Sequence, residues 1–271
     1  MYAVFRKALR DSRRITLWLS VGLSVYLLSV LAFYPPILEQ QEELDKLIQN
    51  FPKELIGVFT GGLDLQAVSL ADPGVYLHGQ FLIWMILFLG ALTIAQAFNA
   101  ITNAERDGTL DVIMSFPITR REMLLARFAN SVVTVLLVLT ACFITLFIGT
   151  QIITEFELNL GQMLLVIYGA FFVIIIPGAV AYMLAAIVPS SKRWPGAVVY
   201  TFFIGSYLLL GFASSIDLIG SIRGLLIFDY YSGGDLVNQG ADIADWVILT
   251  GTAAFFAAVA WWSIDRKQLG V

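Results

Sequence analysis

Six apolar stretches, at positions 15–34, 77–100, 123–148, 162–188, 196–213 and 246–263, limit what this chain can fold into more than any other feature. A helix of roughly 20 residues crosses about 30 Å of hydrocarbon, and each such span must satisfy its own backbone hydrogen bonds. Apolar residues form 59% of the 271 and charged residues 13%, against about 45–50% and 25% in soluble domains. The chain is therefore expected to be an all-α integral membrane protein with six transmembrane helices. The last two stretches are the shortest. The single cysteine, Cys142, lies inside an apolar run, excludes an internal disulfide and reads as a small buried hydrophobe.

The segments between the spans have their own patterns. Residues 1–14 place Tyr2, Phe5 and Leu9 on one helical face, with Arg6, Lys7, Arg10 and Arg13 mostly elsewhere. That suits a short helix lying in the membrane surface, with a plain basic topogenic tail as the alternative. The apolar run that follows is too long for a secretory signal, and Tyr34-Pro35-Pro36 offers no cleavage pattern. Within residues 35–76, Ile37, Leu38, Leu44, Leu47, Ile48 and Phe51 recur at roughly helical spacing among acidic neighbours, as in an amphipathic helix capping the bundle. Pro52 ends it, and Gly57, Gly61 and Gly62 mark a short element and a turn before Asp72-Pro73-Gly74. Residues 214–245 hold an apolar piece at 218–228 that is too short to span and is broken by Gly220, Arg223 and Gly224, which predicts a re-entrant or interface-lying element.

Orientation follows from lysine and arginine. With both termini inside, the basic residues of the two ends, Arg106, Arg120, Arg121, Arg127, Lys192 and Arg193 all fall in the cytoplasm, and only Lys46, Lys53 and Arg223 fall outside. The expectation is a multi-pass protein of the cell membrane with both termini cytoplasmic. Most carboxylates lie on the outer loops, so the net charge of −4 says little about the inner face. The basic patches serve topology and contact with anionic lipid, and they do not imply nucleic acid.

Chemistry is constrained mainly by what is missing. There is no Gly-x-x-x-x-Gly-Lys-Ser/Thr phosphate loop, so the chain does not bind and hydrolyse a nucleotide by that route. His78 is the only histidine, which excludes zinc motifs built on two, and at the outer mouth of its span it reads as an interfacial residue. The spans carry no Asp, Glu, Lys or Arg in their central portions, which disfavours proton relays and ion-coupled carriers. Gln96 and Asn99, three apart in the second span, and Asn130 and Thr134, one turn apart in the third, could line a substrate path or hydrogen-bond between helices. Pro177-Gly178 removes a backbone donor from the fourth span and invites a kink.

Residues 101–122 form a charged island between two apolar runs. Its sequence Glu105-Arg106-Asp107-Gly108-Thr109-Leu110-Asp111-Val112-Ile113-Met114-Ser115-Phe116-Pro117-Ile118-Thr119-Arg120-Arg121-Glu122 resembles the segment after the second span of type-2 ABC exporter permeases. That family pattern is an acidic residue, Gly-Thr, an apolar helix, Ser-x-Pro and then Ser/Thr-Arg. The resemblance extends to the basic N-terminal helix, the Phe51-Pro52-Lys53-Glu54-Leu55 stretch before a glycine turn, the six spans, the broken outer element and the basic C-terminus. Arg127 stands where the family often has lysine, and Ala104 where a second acid is frequent.

Local physics agrees with the resemblance. Gly108 permits a tight backbone, Thr109 can cap a helix with Asp111 favourable in its first turn, and Pro117 stops it. Leu110, Ile113 and Met114 give that helix an apolar stripe. The resemblance implies a coupling helix, with Glu105, Gly108, Thr109, Leu110, Asp111, Ile113, Met114, Ser115, Pro117, Arg120 and Arg121 forming the docking surface for an ABC ATPase. It further implies two copies of that ATPase, which would hold the ATP and magnesium, and pairing with a second copy of this permease or a close paralogue. The implied activity is export of an amphipathic drug, antibiotic peptide or lipid-like molecule, with no cofactor in this chain. A non-transporting membrane module, such as a sensor that tethers an ATPase, is the alternative. A membrane-embedded enzyme would need a paired acid, metal cluster or activated nucleophile, and the sequence offers none.

Overall fold

The computed structural model describes residues 2–52, 56–57, 69, 71–109, 118–192, 194–213, 216–238 and 240–267. Regular structure among the described residues is entirely helical, and six helices are long and apolar enough to cross a membrane. The expected glycine turn at Gly61 and Gly62 lies outside the described residues, as do Lys53, Glu54, Leu55 and Arg193.

The surface helix expected over residues 1–14 is not a separate element: helix α1 runs unbroken over Tyr2–Ala32. No proline occurs in it and its first glycine is Gly22, so nothing in the basic segment stops helix propagation. At 1.5 Å per residue α1 is about 46 Å long, which leaves roughly its first ten residues beyond a 30 Å hydrocarbon core. The outer amphipathic helix is likewise divided, into α2 (Tyr34–Glu39) and α3 (Gln41–Gln49), which meet at Gln40 with φ −106° and ψ 15°.

Helix α4 covers Pro73–Arg106. Asp72 caps its start by accepting from the Val75 amide at 2.9 Å, and Pro73 occupies the first turn, where a missing N–H costs nothing. Two π-helical turns interrupt it, His78–Leu82 and Asn99–Asn103. Helices α5 (Arg120–Ile152) and α6 (Leu160–Ile187) both begin in capping boxes, Thr119 with Glu122 and Asn159 with Gln162. Helix α7 (Trp194–Phe212) has 19 residues, about 28 Å, just enough to span. The expected broken outer element consists of α8 (Asp217–Ser221), two 3-10 turns and α9 (Gly233–Asn238), after which α10 (Ile243–Ser263) completes the bundle.

Helix α6 forms the core, with neighbours α4, α5, α7 and α10, while α1 lies along α5. Close approach depends on glycine: a Cβ at Gly178 would sit 2.7 Å from Thr93 Cβ. The Thr93 hydroxyl donates to the Gly90 and Ile174 carbonyls, at 2.8 and 3.2 Å, beside the point where Pro177 interrupts the ladder. Helix α6 continues through Pro177.

The outer element packs into the bundle instead of lying on it. Leu226, Ile227, Phe228, Tyr231 and Leu236 are buried, and the Tyr231 hydroxyl donates to the Val166 carbonyl at 2.6 Å. His78 differs from its expected interfacial place. It is buried, its ring lies 5.9 Å from that of Tyr231 at a 42° tilt, and its Nδ1 accepts from the Gly233 amide at 3.0 Å. That bond requires a lone pair on Nδ1 and so places the neutral ring's proton on Nε2.

Candidate functional site

Both ends of the charged island are anchored at the basic face of the bundle, where the end of α4 and the start of α5 meet the α6–α7 loop and the tail of α10. The centre of this cluster is Lys267, whose side chain is 2% exposed. A buried ammonium must be paired and must also spend its N–H donors. Its Nζ lies 3.0 Å from Glu105 Oε2 and donates to the Ala185 carbonyl at 2.8 Å and to Ser190 Oγ at 3.1 Å. Ser190 in turn donates to Glu105 Oε2, closing a triangle of lysine, serine and carboxylate.

Arginines extend the cluster through backbone carbonyls. Arg106 Nε donates to the Ser190 carbonyl at 2.6 Å and its Nη2 to the Lys192 carbonyl at 2.9 Å. Arg120 Nη1 donates to the carbonyl of Lys267 at 2.7 Å. Arg121 Nε approaches Asp265 Oδ2 to 2.6 Å without hydrogen-bond alignment, and its guanidinium lies 4.2 Å from the centre of the Trp261 ring. Since both members of the Arg121–Asp265 pair are more than a third exposed, it contributes at most about 1 kcal/mol. The Lys267 cluster is enclosed and joins the ends of four spans.

The family model described as ABC-2 family transporter protein matches residues 2–221. The chain belongs to this family. No curated protein matches it. The matched region runs from α1 to α8 of the permease and includes both ends of the charged island, whereas Lys267 lies beyond it. Members of the family are normally non-catalytic membrane subunits, and six apolar helices make this one a multi-pass membrane protein.

The residues singled out in the permease sequence are distributed unevenly. Gly108 has φ +67°, in the left-handed region that glycine alone enters without strain. The Thr109 hydroxyl donates back to the Ala104 carbonyl at 3.1 Å, tying it to the preceding helix. Leu110, Asp111, Ile113, Met114, Ser115 and Pro117 lie outside the described residues. Glu105, Arg120 and Arg121 meet in and around the Lys267 cluster, which also contains Ser190 and Lys267, residues that sequence reasoning did not single out. The only available signal was position, since Lys267 follows shortly after a span.

Three of the four polar span residues come together. Gln96, Asn99 and Asn130 line a cavity of about 230 Å³ between α1, α4, α5 and α6, with Asp11, Ser12, Arg127 and Tyr182 also in its wall. Asn130 Oδ1 accepts from Ser12 Oγ at 2.9 Å, an interhelical bond. Both amide atoms of Gln96 are buried without a hydrogen-bond partner among the described residues. Thr134 does not line this cavity, and its hydroxyl is buried without a hydrogen-bond partner among the described residues. A second cavity, about 290 Å³, opens on the other side of α4 between Arg106 and Lys192. Ala95 and Asn99 border both cavities where the second π-turn begins. Such a turn locally re-aims the helix face and recurs at functional sites.

Proposed function

We propose that this permease is the membrane half of an ATP-driven exporter, with its basic face in the cytoplasm and residues 105–121 as the docking surface for a separate ATPase. The observation that carries the proposal is the enclosed cluster at Lys267. Because Glu105, Arg106 and Arg120 bind the α6–α7 loop and the tail of α10, a displacement of the island acts on α4, α5, α6 and α10 together. A charged loop serving topology alone has no need of that connection. Two ATPase copies holding ATP and magnesium would drive a pair of permeases between inward-open and outward-open states. The spans suit an amphipathic cargo such as a drug, an antibiotic peptide or a lipid-like molecule.

The test is co-purification with a candidate ABC ATPase co-expressed with the permease, together with the ATP hydrolysis and substrate transport of the complex in vesicles. Glu105→Ala combined with Arg120→Ala is expected to weaken assembly or to uncouple hydrolysis from transport. Unchanged behaviour in both assays sinks the docking assignment. Normal assembly and hydrolysis with no transport of any amphiphile favours a sensor or tether.

A further inference from the structure

The cavity between α1, α4, α5 and α6 contains polar groups that the permease itself leaves unsatisfied. Among the described residues Gln96 has both a donor and an acceptor buried without a partner, and Arg127 Nε is a buried cationic donor in the same condition. A fold bonds nearly all such groups, and Arg127, a charged one, lies in the wall of this cavity. Arg127 lies seven residues after Arg120, about 10 Å along the helix axis, at the depth of the polar head-group layer beside the hydrocarbon.

The charges in the wall narrow the chemistry. Arg127 supplies a guanidinium, which recognises phosphate oxygens through several N–H groups. Asp11 stands at the exposed mouth, and no lysine or arginine among the described residues pairs with it. A simple anion would meet Asp11, and a simple cation would meet Arg127. An occupant bearing both charges satisfies both. The cavity is about 230 Å³, below the roughly 300–1,000 Å³ of sites that enclose a drug-sized molecule. Its wall also includes the apolar Ile15, 45% exposed on α1, and Leu92. The enclosed part of the ligand is thus small and doubly charged, and an apolar remainder can leave sideways along α1.

We infer that this cavity binds the phosphate-and-ammonium head group of phosphatidylethanolamine from the leaflet at the basic face, with Arg127 on the phosphate and Asp11 on the ammonium. The inference concerns binding by the permease alone and stands apart from ATPase coupling. It is tested by native mass spectrometry of the purified full-length chain in maltoside micelles doped with equal amounts of phosphatidylethanolamine and phosphatidylglycerol. The wild type is expected to retain phosphatidylethanolamine about tenfold better. Arg127→Gln should reduce that retention by about tenfold, and Asp11→Asn should abolish the preference while phosphatidylglycerol still binds. Asp11→Asn is a conservative change at an exposed position, so its effect is separable from misfolding, and the melting temperature of each variant is measured beside it. Equal retention of the two lipids by the wild type means a merely hydrated cavity and overturns the inference. So does a preference untouched by either substitution. Displacement of the lipid by an equal concentration of soluble phosphoethanolamine would reassign the site to a water-soluble phosphate ester.

Discussion

Replacing Lys267 with methionine keeps the length of the side chain and removes its charge, which isolates the worth of the enclosed cluster. Loss of one member of a fully buried ion pair costs about 3–5 kcal/mol, chiefly because the other charge is left without compensation. Here the lysine side chain is 2% exposed and that of Glu105 14%, so water reaches the orphaned carboxylate, and Ser190 still donates to it. The Ala185 carbonyl also loses its lysine donor. Partial hydration lowers the expected cost to about 2–3 kcal/mol. For a chain of this size that corresponds to a drop of about 4–10 °C in melting temperature. The measurement is thermal unfolding of purified protein in detergent at one fixed scan rate, since irreversible unfolding makes the midpoint rate-dependent. Glu105→Gln added to Lys267→Met removes the orphaned charge and should recover at least about 1 kcal/mol of the loss. A melting temperature unmoved by Lys267→Met, or strict additivity of the two substitutions, refutes the claim that this pair holds the island to the bundle.

Two glycines give independent tests of local geometry. Gly108→Val must hold a β-branched residue at φ +67°, which costs about 1–2 kcal/mol. No atom of the described residues lies within 4 Å of its added Cβ, so Gly108→Asn, better suited to that region, should melt measurably higher than Gly108→Val. At Gly233 the added Cβ would fall 2.6 Å from Leu82 Cδ1 and 3.0 Å from His78 Cβ. Gly233→Ala should therefore cost about 1–3 kcal/mol by overpacking and speed amide hydrogen exchange in the outer element, whereas Gly240→Ala, with open space around it but a φ of +84°, should leave exchange around His78 unchanged.

What was legible in the sequence follows from the range of the forces involved. Each span is a local property, because a long apolar run among the caps and breakers beside it decides its own state. Thr119 with Glu122 and Asn159 with Gln162 start helices close to where the apolar runs begin. The island's family pattern was legible for the same reason, being contiguous. Where local signals were silent the expectation slipped: α1 absorbed the basic segment because that segment contains no breaker, and the amphipathic helix divided at Gln40, which carries no breaker signature of its own.

The parts that the sequence hid are pairings between distant residues. Glu105 and Lys267 are far apart along the chain, and a lysine just past the end of a span reads as a topological charge, exposed and interchangeable with its neighbours. Only the packing of α4, α6 and α10 brings Lys267 under the α6–α7 loop, where Ala185 and Ser190 turn it from a topogenic residue into a structural one. His78 follows the same logic at the opposite face. A lone histidine at a span end looks interfacial until Gly233 lets the outer element approach closely enough to donate to its ring. Gln96 and Asn130 illustrate the remaining ambiguity, since both were polar residues in apolar helices with equal claim to bond a neighbour. Asn130 found Ser12 on α1 and stabilises an interface, while Gln96, in the wall of the cavity, has no hydrogen-bond partner among the described residues. The distinction between a structural and a binding polar residue is therefore a property of the assembled bundle, set by whether a partner lies within hydrogen-bond reach.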